Sequence, residues 1–132
     1  MIRKPVEKNA ENLKKVQDYA RQWLLYFKTH TKIECHQNYL ENMDVTEYKF
    51  LELGFFMDGY ESLINAYNAI HGDNAYTHTR EYQAIEEIKD PWILGDVLFC
   101  KWRYLGHWAY DSFAEFQPEI FIKIFSKMAG ET

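Results

Sequence analysis

The sequence lacks the patterns that mark secreted, disulfide-bonded or membrane-spanning proteins. Its two cysteines, Cys35 and Cys100, form no CxxC pair and are too few for a disulfide framework. Residues 1–15 are polar and contain no apolar segment of a secretory signal. The longest apolar run falls far short of the roughly 20 residues that cross a bilayer. We therefore expect a cytoplasmic protein that keeps both thiols reduced and does not enter a membrane.

The sequence also lacks the motifs of the common enzyme classes. It has no glycine-rich phosphate loop, no GxSxG nucleophile turn and no HExxH zinc motif. None of its five histidines follows a glutamate by three residues, so the ExxH pairs of di-iron helical bundles are absent. These absences make an enzyme the less favoured class, and we predict no cofactor.

Aromatic residues, in contrast, are abundant. Nine Phe, ten Tyr and four Trp make up 17% of the 132 residues, while the apolar share of 47% is ordinary for a globular domain. Aromatic side chains fill cores and also anchor interfaces, so the excess fits a large core or a binding face. The length is close to that of one domain, and we expect a single domain over 1–132.

The charge is acidic overall and unevenly distributed. The net charge is −5, but residues 1–32 carry eight basic and three acidic residues, whereas residues 33–132 carry seven basic and seventeen acidic ones. Proteins that bind phosphate backbones usually show a basic balance. The composition therefore favours a partner with a basic surface over a nucleic acid.

Apolar residues recur at steps of three and four in five stretches, a spacing typical of amphipathic helices. No stretch alternates as a half-buried strand does. The predicted fold class is therefore all-α, a compact bundle of about five helices. Helices are predicted over about 9–29, which is basic, and over 44–71, 79–89, 91–112 and 118–129. Residues 31–43 show no clear period and are predicted to be irregular.

The predicted helix over 44–71 has a capping signal, since Asp44 is followed three residues later by Glu47. Its apolar face comprises Tyr48, Phe55, Phe56, Leu63, Tyr67 and Ile70, and its opposite face carries Glu47, Asp58, Glu61 and Asn65. Gly54 and Gly59 leave open a kink or a break into two helices, because glycine lowers helix propensity by about 1 kcal/mol relative to alanine.

The predicted helix over 91–112 is apolar on most sides, which is typical of the central helix of a bundle. Its polar residues fall within one narrow arc: Asp96, Cys100, Arg103, His107 and Asp111. If the protein is an enzyme, His107 would be the base, oriented by Asp111 with Arg103 nearby. The interpretation that we favour is a solvent-facing edge held by ion pairs, because structural ion pairs outnumber catalytic ones.

Glu52 falls inside the apolar arc of the 44–71 helix, where a carboxylate needs a partner or a proton. One hypothesis places it in a cleft as a further catalytic residue beside His107. The hypothesis that we favour lets the Glu52 head group escape to solvent near Gly54, because glutamate is rarely buried unpaired. Lys49 lies three residues before it.

A zinc site would need cysteine and histidine ligands, and the chain offers Cys35, His36, Cys100 and His107. Cys35 and His36 are adjacent, and six residues separate Cys100 from His107. Neither spacing is that of a metal site, so we predict no bound metal.

These observations favour a small acidic module that binds another protein, such as an inhibitor, an immunity protein or a regulator of a basic partner. Tyrosine and tryptophan dominate interface energetics, and an acidic face speeds encounter with a basic one. The predicted partner-binding residues are Glu47, Asp58, Glu61, Asp96 and Arg103. A homo-oligomer fits the same composition. The first alternative is a small-ligand-binding protein or enzyme built on the polar arc of the central helix, and the second is weak nucleic-acid binding through the N-terminal helix.

Overall fold

The computed structural model describes residues 6–58, 60–108 and 116–131, and at 106–108 the backbone alone. These residues form seven α-helices and no strand, so the predicted all-α class is confirmed and the helix count of about five is corrected. The helices are α1 (Ala10–Thr29), α2 (Lys32–Glu41), α3 (Met43–Glu52), α4 (Glu61–His71), α5 (Glu81–Glu87), α6 (Pro91–Trp108) and α7 (Pro118–Met128). A 3₁₀ helix, His78–Arg80, leads into α5. No helix in these ranges is long and apolar enough to span a bilayer.

The first helix begins where its sequence indicates. The Asn9 side chain accepts a hydrogen bond from the Asn12 amide at 2.9 Å and so satisfies one free donor of the first turn. The apolar stripe of α1 faces α7, and the Arg21 guanidinium donates to the Ala129 carbonyl oxygen at 3.2 Å. Since Ala129 ends α7, this contact places a cation at the negative end of that helix.

The prediction that residues 31–43 are irregular is wrong. This segment contains α2, which begins with a capping box: the Thr31 amide donates to Glu34 Oε1 at 2.8 Å, and the Glu34 amide donates to Thr31 Oγ1 at 3.2 Å. Only two side chains of the helix, Cys35 and Tyr39, are buried. A helix that buries so few residues shows little apolar period, which is why the pattern missed it.

The predicted helix over 44–71 is broken into two helices, which is one of the possibilities that Gly54 raised. After α3 ends at Glu52, Gly54 adopts a φ of +90°, and none of the described residues between there and Glu61, where α4 begins, is helical. Phe55 turns into the core from this loop and lies against Gly95 of α6. The break therefore lets the Phe55 ring pack in the core against α6.

Two details of that prediction are corrected with it. Asp44 is not the cap of the helix, because α3 is preceded by Asn42 and Asp44 lies in its first turn. The expected common apolar face does not exist either: Tyr48 and Ile70 are 71% and 61% exposed, while Leu63 is fully buried. Two separate helices have independent rotations, so one 3.6-residue pattern cannot describe both.

The central position of α6 is set by its aromatic contacts. The Trp102 ring lies 5.3 Å from Trp23 of α1, 4.8 Å from Tyr39 of α2, 5.6 Å from Phe50 of α3 and 5.2 Å from Phe121 of α7, measured between ring centroids. The Tyr39 hydroxyl also donates to the Trp102 carbonyl oxygen at 2.5 Å. One side chain thus joins four helices to α6. The predicted end of this helix, over 109–112, falls outside the described residues.

Candidate functional site

Asp96, a member of the polar arc predicted on α6, does not face solvent. That residue is 2% exposed; its Oδ1 accepts from the Phe56 amide at 2.7 Å, and its Oδ2 accepts from the Ser62 hydroxyl at 3.1 Å. The loop between α3 and α4 covers this side of α6, and the Phe56 amide in that loop lies outside any helix and needs an acceptor. Asp96 therefore fastens the loop, and the expectation of exposure is wrong.

Arg103 forms an ion pair with a residue of another helix. Its Nη1 lies 3.2 Å from Glu47 Oε2, and the two side chains are 31% and 14% exposed, so the pair links α6 to α3. The side chain of His107 and the whole of Asp111 lie outside the described residues. Among His107, Arg103 and Asp111, the structure therefore describes the side chain of Arg103 alone, and this side chain pairs with Glu47.

Glu52 does not lie in a cleft. It is the last residue of α3, its side chain is 58% exposed, and its Oε2 lies 3.8 Å from Lys49 Nζ. The head group reaches solvent beside Gly54, as the favoured hypothesis expects. The arrangement offers neither the burial nor the neighbours that would make Glu52 a general acid.

The other predicted acidic residues do not form one stripe. Asp58 Oδ2 accepts from the Ser62 amide at 3.0 Å and from the Ser62 hydroxyl at 2.5 Å, so Asp58 holds the first turn of α4. Glu61 is exposed at the start of that helix. Because Glu47 lies on α3, beyond the break, the expected single acidic face is divided. Glu61 is the exposed member of the predicted set on α4, apart from Glu47.

The two cysteines are not joined in a disulfide, and they lie in different settings. Cys35 is buried near the turn between α1 and α2, where burial raises the pKa of its thiol, and Cys100 is half-buried on α6. The neighbouring His36 packs its ring 5.1 Å from Phe116. Within the part of the chain that the structure describes, no three His, Cys, Asp or Glu side chains are grouped as metal ligands.

A groove that the sequence did not predict runs between α1 and the α2–α3 pair. It consists of two adjoining hollows, of about 420 Å³ and 350 Å³, which share Tyr26 and Asn38. We call it the aromatic groove. It is lined by Tyr19, Gln22, Trp23, Tyr26, His30, Glu34, Gln37, Asn38, Glu41, Asn42, Val45, Thr46 and Lys49.

The floor of the aromatic groove is a row of three half-buried aromatic rings from α1. Tyr19, Trp23 and Tyr26 are spaced by four and three residues and so share one helix face. Trp23 also packs against the core, because its ring stacks on that of Phe125 with 5.9 Å between the two centroids. Burial raises the pKa of Tyr19 to about 12, so its hydroxyl keeps its proton at neutral pH and remains a donor.

The walls of the groove differ in charge along its length. Glu34 and Glu41 stand at one end, and Lys49 stands at the other end, where its Nζ lies 5.9 Å from the centre of the Tyr19 ring. Val45, which is 70% exposed, contributes an apolar edge between them. The helical pair that forms this wall, residues 32–52, carries two basic and five acidic residues.

Sequence reasoning missed the groove because its wall was predicted to be irregular. The signal that could have found it is Thr31 followed by Glu34, the capping-box pattern, which would have placed a helix beside α1. The same helix would have shown that Tyr19, Trp23 and Tyr26 face a second element. No family model, curated protein or solved structure matches this chain.

Proposed function

We propose that this protein is a binding module that holds a basic segment of a partner protein in the aromatic groove. The observation that carries the proposal is the half-buried row Tyr19, Trp23 and Tyr26 beside exposed carboxylates. Partly buried tyrosine and tryptophan bury much area on binding at a small entropic cost, so such residues dominate interface energies.

The charge of the groove supports a basic partner. Glu34 and Glu41 are exposed at one end, so a lysine or arginine side chain of the partner would pair with them. Lys49 at the other end is near Glu52, at 3.8 Å, which offsets its charge. An excess of five acidic over two basic residues in 32–52 would also speed the approach of a basic surface.

We place the partner-binding surface in the aromatic groove and not on the residues predicted from the sequence. Asp96, Asp58, Glu47 and Arg103 make internal contacts that hold α3, α4 and α6 together. The class of protein that we propose is unchanged: an inhibitor, an immunity protein or a regulator of a basic protein, in the cytoplasm, where both thiols stay reduced. Where the partner is a second copy of this chain, the same proposal describes a homo-oligomer.

The charges on α1 support this proposal more than nucleic-acid binding. Lys14 lies 2.9 Å from Asp18, and Arg21 lies 3.1 Å from the same carboxylate. Lys15 lies 3.9 Å from Glu11. These pairs offset the positive charge that a phosphate backbone would need.

A photocrosslinking experiment tests the proposal. Benzoylphenylalanine is introduced at Val45, on the edge of the groove, and in a matched chain at Ile70, which is similarly exposed at 61% but lies on α4. After irradiation in cells that express the protein natively, we expect a covalent protein adduct from position 45 and none from position 70. Equal adducts from both positions, or no protein adduct from position 45, would contradict it.

A further inference from the structure

A second cleft lies between the start of α4, the start of α5, α6 and α7. Its volume is about 360 Å³, near the lower end of the range for small-molecule pockets. One wall is polar and comes from Tyr60, Glu81 and Lys101. The other lining residues are mostly apolar and include Leu105 and Phe121. None of these five residues belongs to a site predicted from the sequence.

The polar wall holds one cation and one anion side by side. Lys101 Nζ lies 3.2 Å from Glu81 Oε2, and the two side chains are 19% and 29% exposed. The same ammonium group lies 5.9 Å from the centre of the Tyr60 ring. Both charges are thus partly removed from water, and together they make the wall neutral. A ligand with a single charge would leave one of them unmatched, which is costly in such a setting.

Tyr60 is held over this wall in a strained backbone conformation. Its φ of 69° is in the left-handed region, which tyrosine rarely adopts and which costs about 1 kcal/mol or more. Tyr60 is also the N-cap residue of α4, where its carbonyl oxygen accepts from the Ile64 amide at 2.8 Å, but its side chain makes no capping hydrogen bond. Asn74, the other left-handed non-glycine among the described residues, belongs to a type that tolerates this region. Backbone strain of this kind is common at ligand sites.

The phenol of Tyr60 is a hydrogen-bond donor throughout the physiological range. Burial raises its pKa strongly, and the carboxylate of Glu81, which lies within hydrogen-bonding reach of this hydroxyl, raises it further. A bound ligand carboxylate would take the place of Glu81 as the acceptor of this hydrogen bond. A carboxylate that entered the cleft would therefore meet the Lys101 ammonium group and a neutral hydroxyl, while an ammonium group would meet Glu81. The apolar side, with Leu105 and Phe121, would receive a hydrocarbon or aromatic group.

We propose that this cleft binds a small zwitterion with an apolar side chain, of the class of free hydrophobic or aromatic α-amino acids. The ligand carboxylate pairs with Lys101 and accepts from the Tyr60 hydroxyl, and its ammonium group pairs with Glu81. Binding exchanges the ion pair within the cleft for two ion pairs with the ligand, so no charge is left without a counter-charge.

Titration of the full-length protein with three ligands tests this proposal. The probes are L-phenylalanine, 3-phenylpropionate, which lacks the amine, and 2-phenylethylamine, which lacks the carboxylate; binding is followed by amide chemical shifts. We expect saturable shifts at Glu81 and Lys101 with phenylalanine, and binding weaker by about tenfold or more for each analogue, since each loses one charged hydrogen bond. No saturation by phenylalanine up to about 10 mM, where a millimolar site would be filled, overturns the proposal. Equal affinity for all three ligands overturns it as well.

Two variants make the test independent of any loss of stability. Lys101→Met leaves Glu81 without its cation, so 2-phenylethylamine should become the best of the three ligands. Glu81→Gln should shift the preference to 3-phenylpropionate by the same reasoning. The matched control is Lys123→Met, since Lys123 forms a similar ion pair with Glu86 outside the cleft, and its ligand preference should equal that of the natural chain. Unchanged preferences in both cleft variants would contradict the assignment.

Discussion

At the residue scale, the loop between α3 and α4 is held by side-chain oxygens and not by a regular element. Asp96 accepts from both the loop amide of Phe56 and the Ser62 hydroxyl, and Asp58 accepts twice from Ser62. A carboxylate that is 2% exposed is tolerated only because such hydrogen bonds replace its hydration. This explains why an acidic residue lies within the most apolar helix of the chain.

Removal of the Asp96 carboxylate should destabilise the protein. In Asp96→Ala, the amide of Phe56 loses its acceptor, while the Ser62 hydroxyl keeps only Asp58, and we expect the free energy of unfolding to fall by about 1–3 kcal/mol. Asp96→Asn should lose less, because its amide oxygen still accepts from Phe56. Urea denaturation measures both, with exposed Asp73→Ala as the control. Equal stability of the alanine variant and the natural chain would show that the carboxylate does not hold the loop.

At the element scale, helix ends and one glycine explain what could be predicted and what could not. α6 and α7 are strongly apolar, begin at Pro91 and Pro118, and are evident from the sequence. α2 was missed because two buried residues give no period. The break at Gly54 could be suspected from the glycine, but its position could not be fixed, since it depends on Phe55 packing against α6. A tertiary contact fixed the position of the break, whereas the pattern of Thr31 and Glu34 that marks the start of α2 was available in the sequence.

The capping box of α2 should give a specific pH dependence. The hydrogen bond from the Thr31 amide lowers the pKa of Glu34 below its ordinary value of 4.5, so the charged form stabilises the native state above that pH. This contribution should disappear as the pH falls through the lowered pKa. In Glu34→Gln the amide oxygen can still accept from Thr31, but this part of the acid sensitivity should be absent.

Thermal unfolding between pH 7 and pH 3 tests that expectation, with exposed Glu131→Gln as the control. The two glutamines remove the same charge, but only position 34 carries a capping bond in the native state. Identical pH profiles for the two variants would contradict the role given to the capping box.

Gly95 in α6 should not tolerate a methyl group. A Cβ at this position would overlap the ring of Phe55, which is fully buried. We expect Gly95→Ala to lower the free energy of unfolding by about 1–3 kcal/mol, although alanine is the better helix former. Asn65→Ala, on the exposed side of α4, isolates the propensity effect and should be neutral or slightly stabilising. A more stable Gly95→Ala protein would mean that the Phe55 contact is not tight.

At the scale of the whole molecule, the core and the aromatic groove share one residue. Trp23 forms part of the groove floor, and its ring also contacts Trp102, which joins α2, α3 and α7 to the central helix. The shape of the groove is therefore fixed by the packing of the bundle. For the same reason, replacement of Trp23 would disturb folding and binding together, and a test of binding needs residues at the rim.

The measurement that tests the central claim most directly is the affinity of the photocrosslinked partner for two charge-reversed proteins. Glu41→Lys changes the groove end but suits the last turn of α2, whereas Glu61→Lys changes the exposed acidic residue of α4. By calorimetry, Glu41→Lys should weaken binding by about tenfold or more, since close interfacial charge pairs couple by at least about 1.5 kcal/mol. Glu61→Lys should bind like the natural chain. Loss of affinity in Glu61→Lys, with full affinity in Glu41→Lys, would place the interface on α4 and contradict the groove.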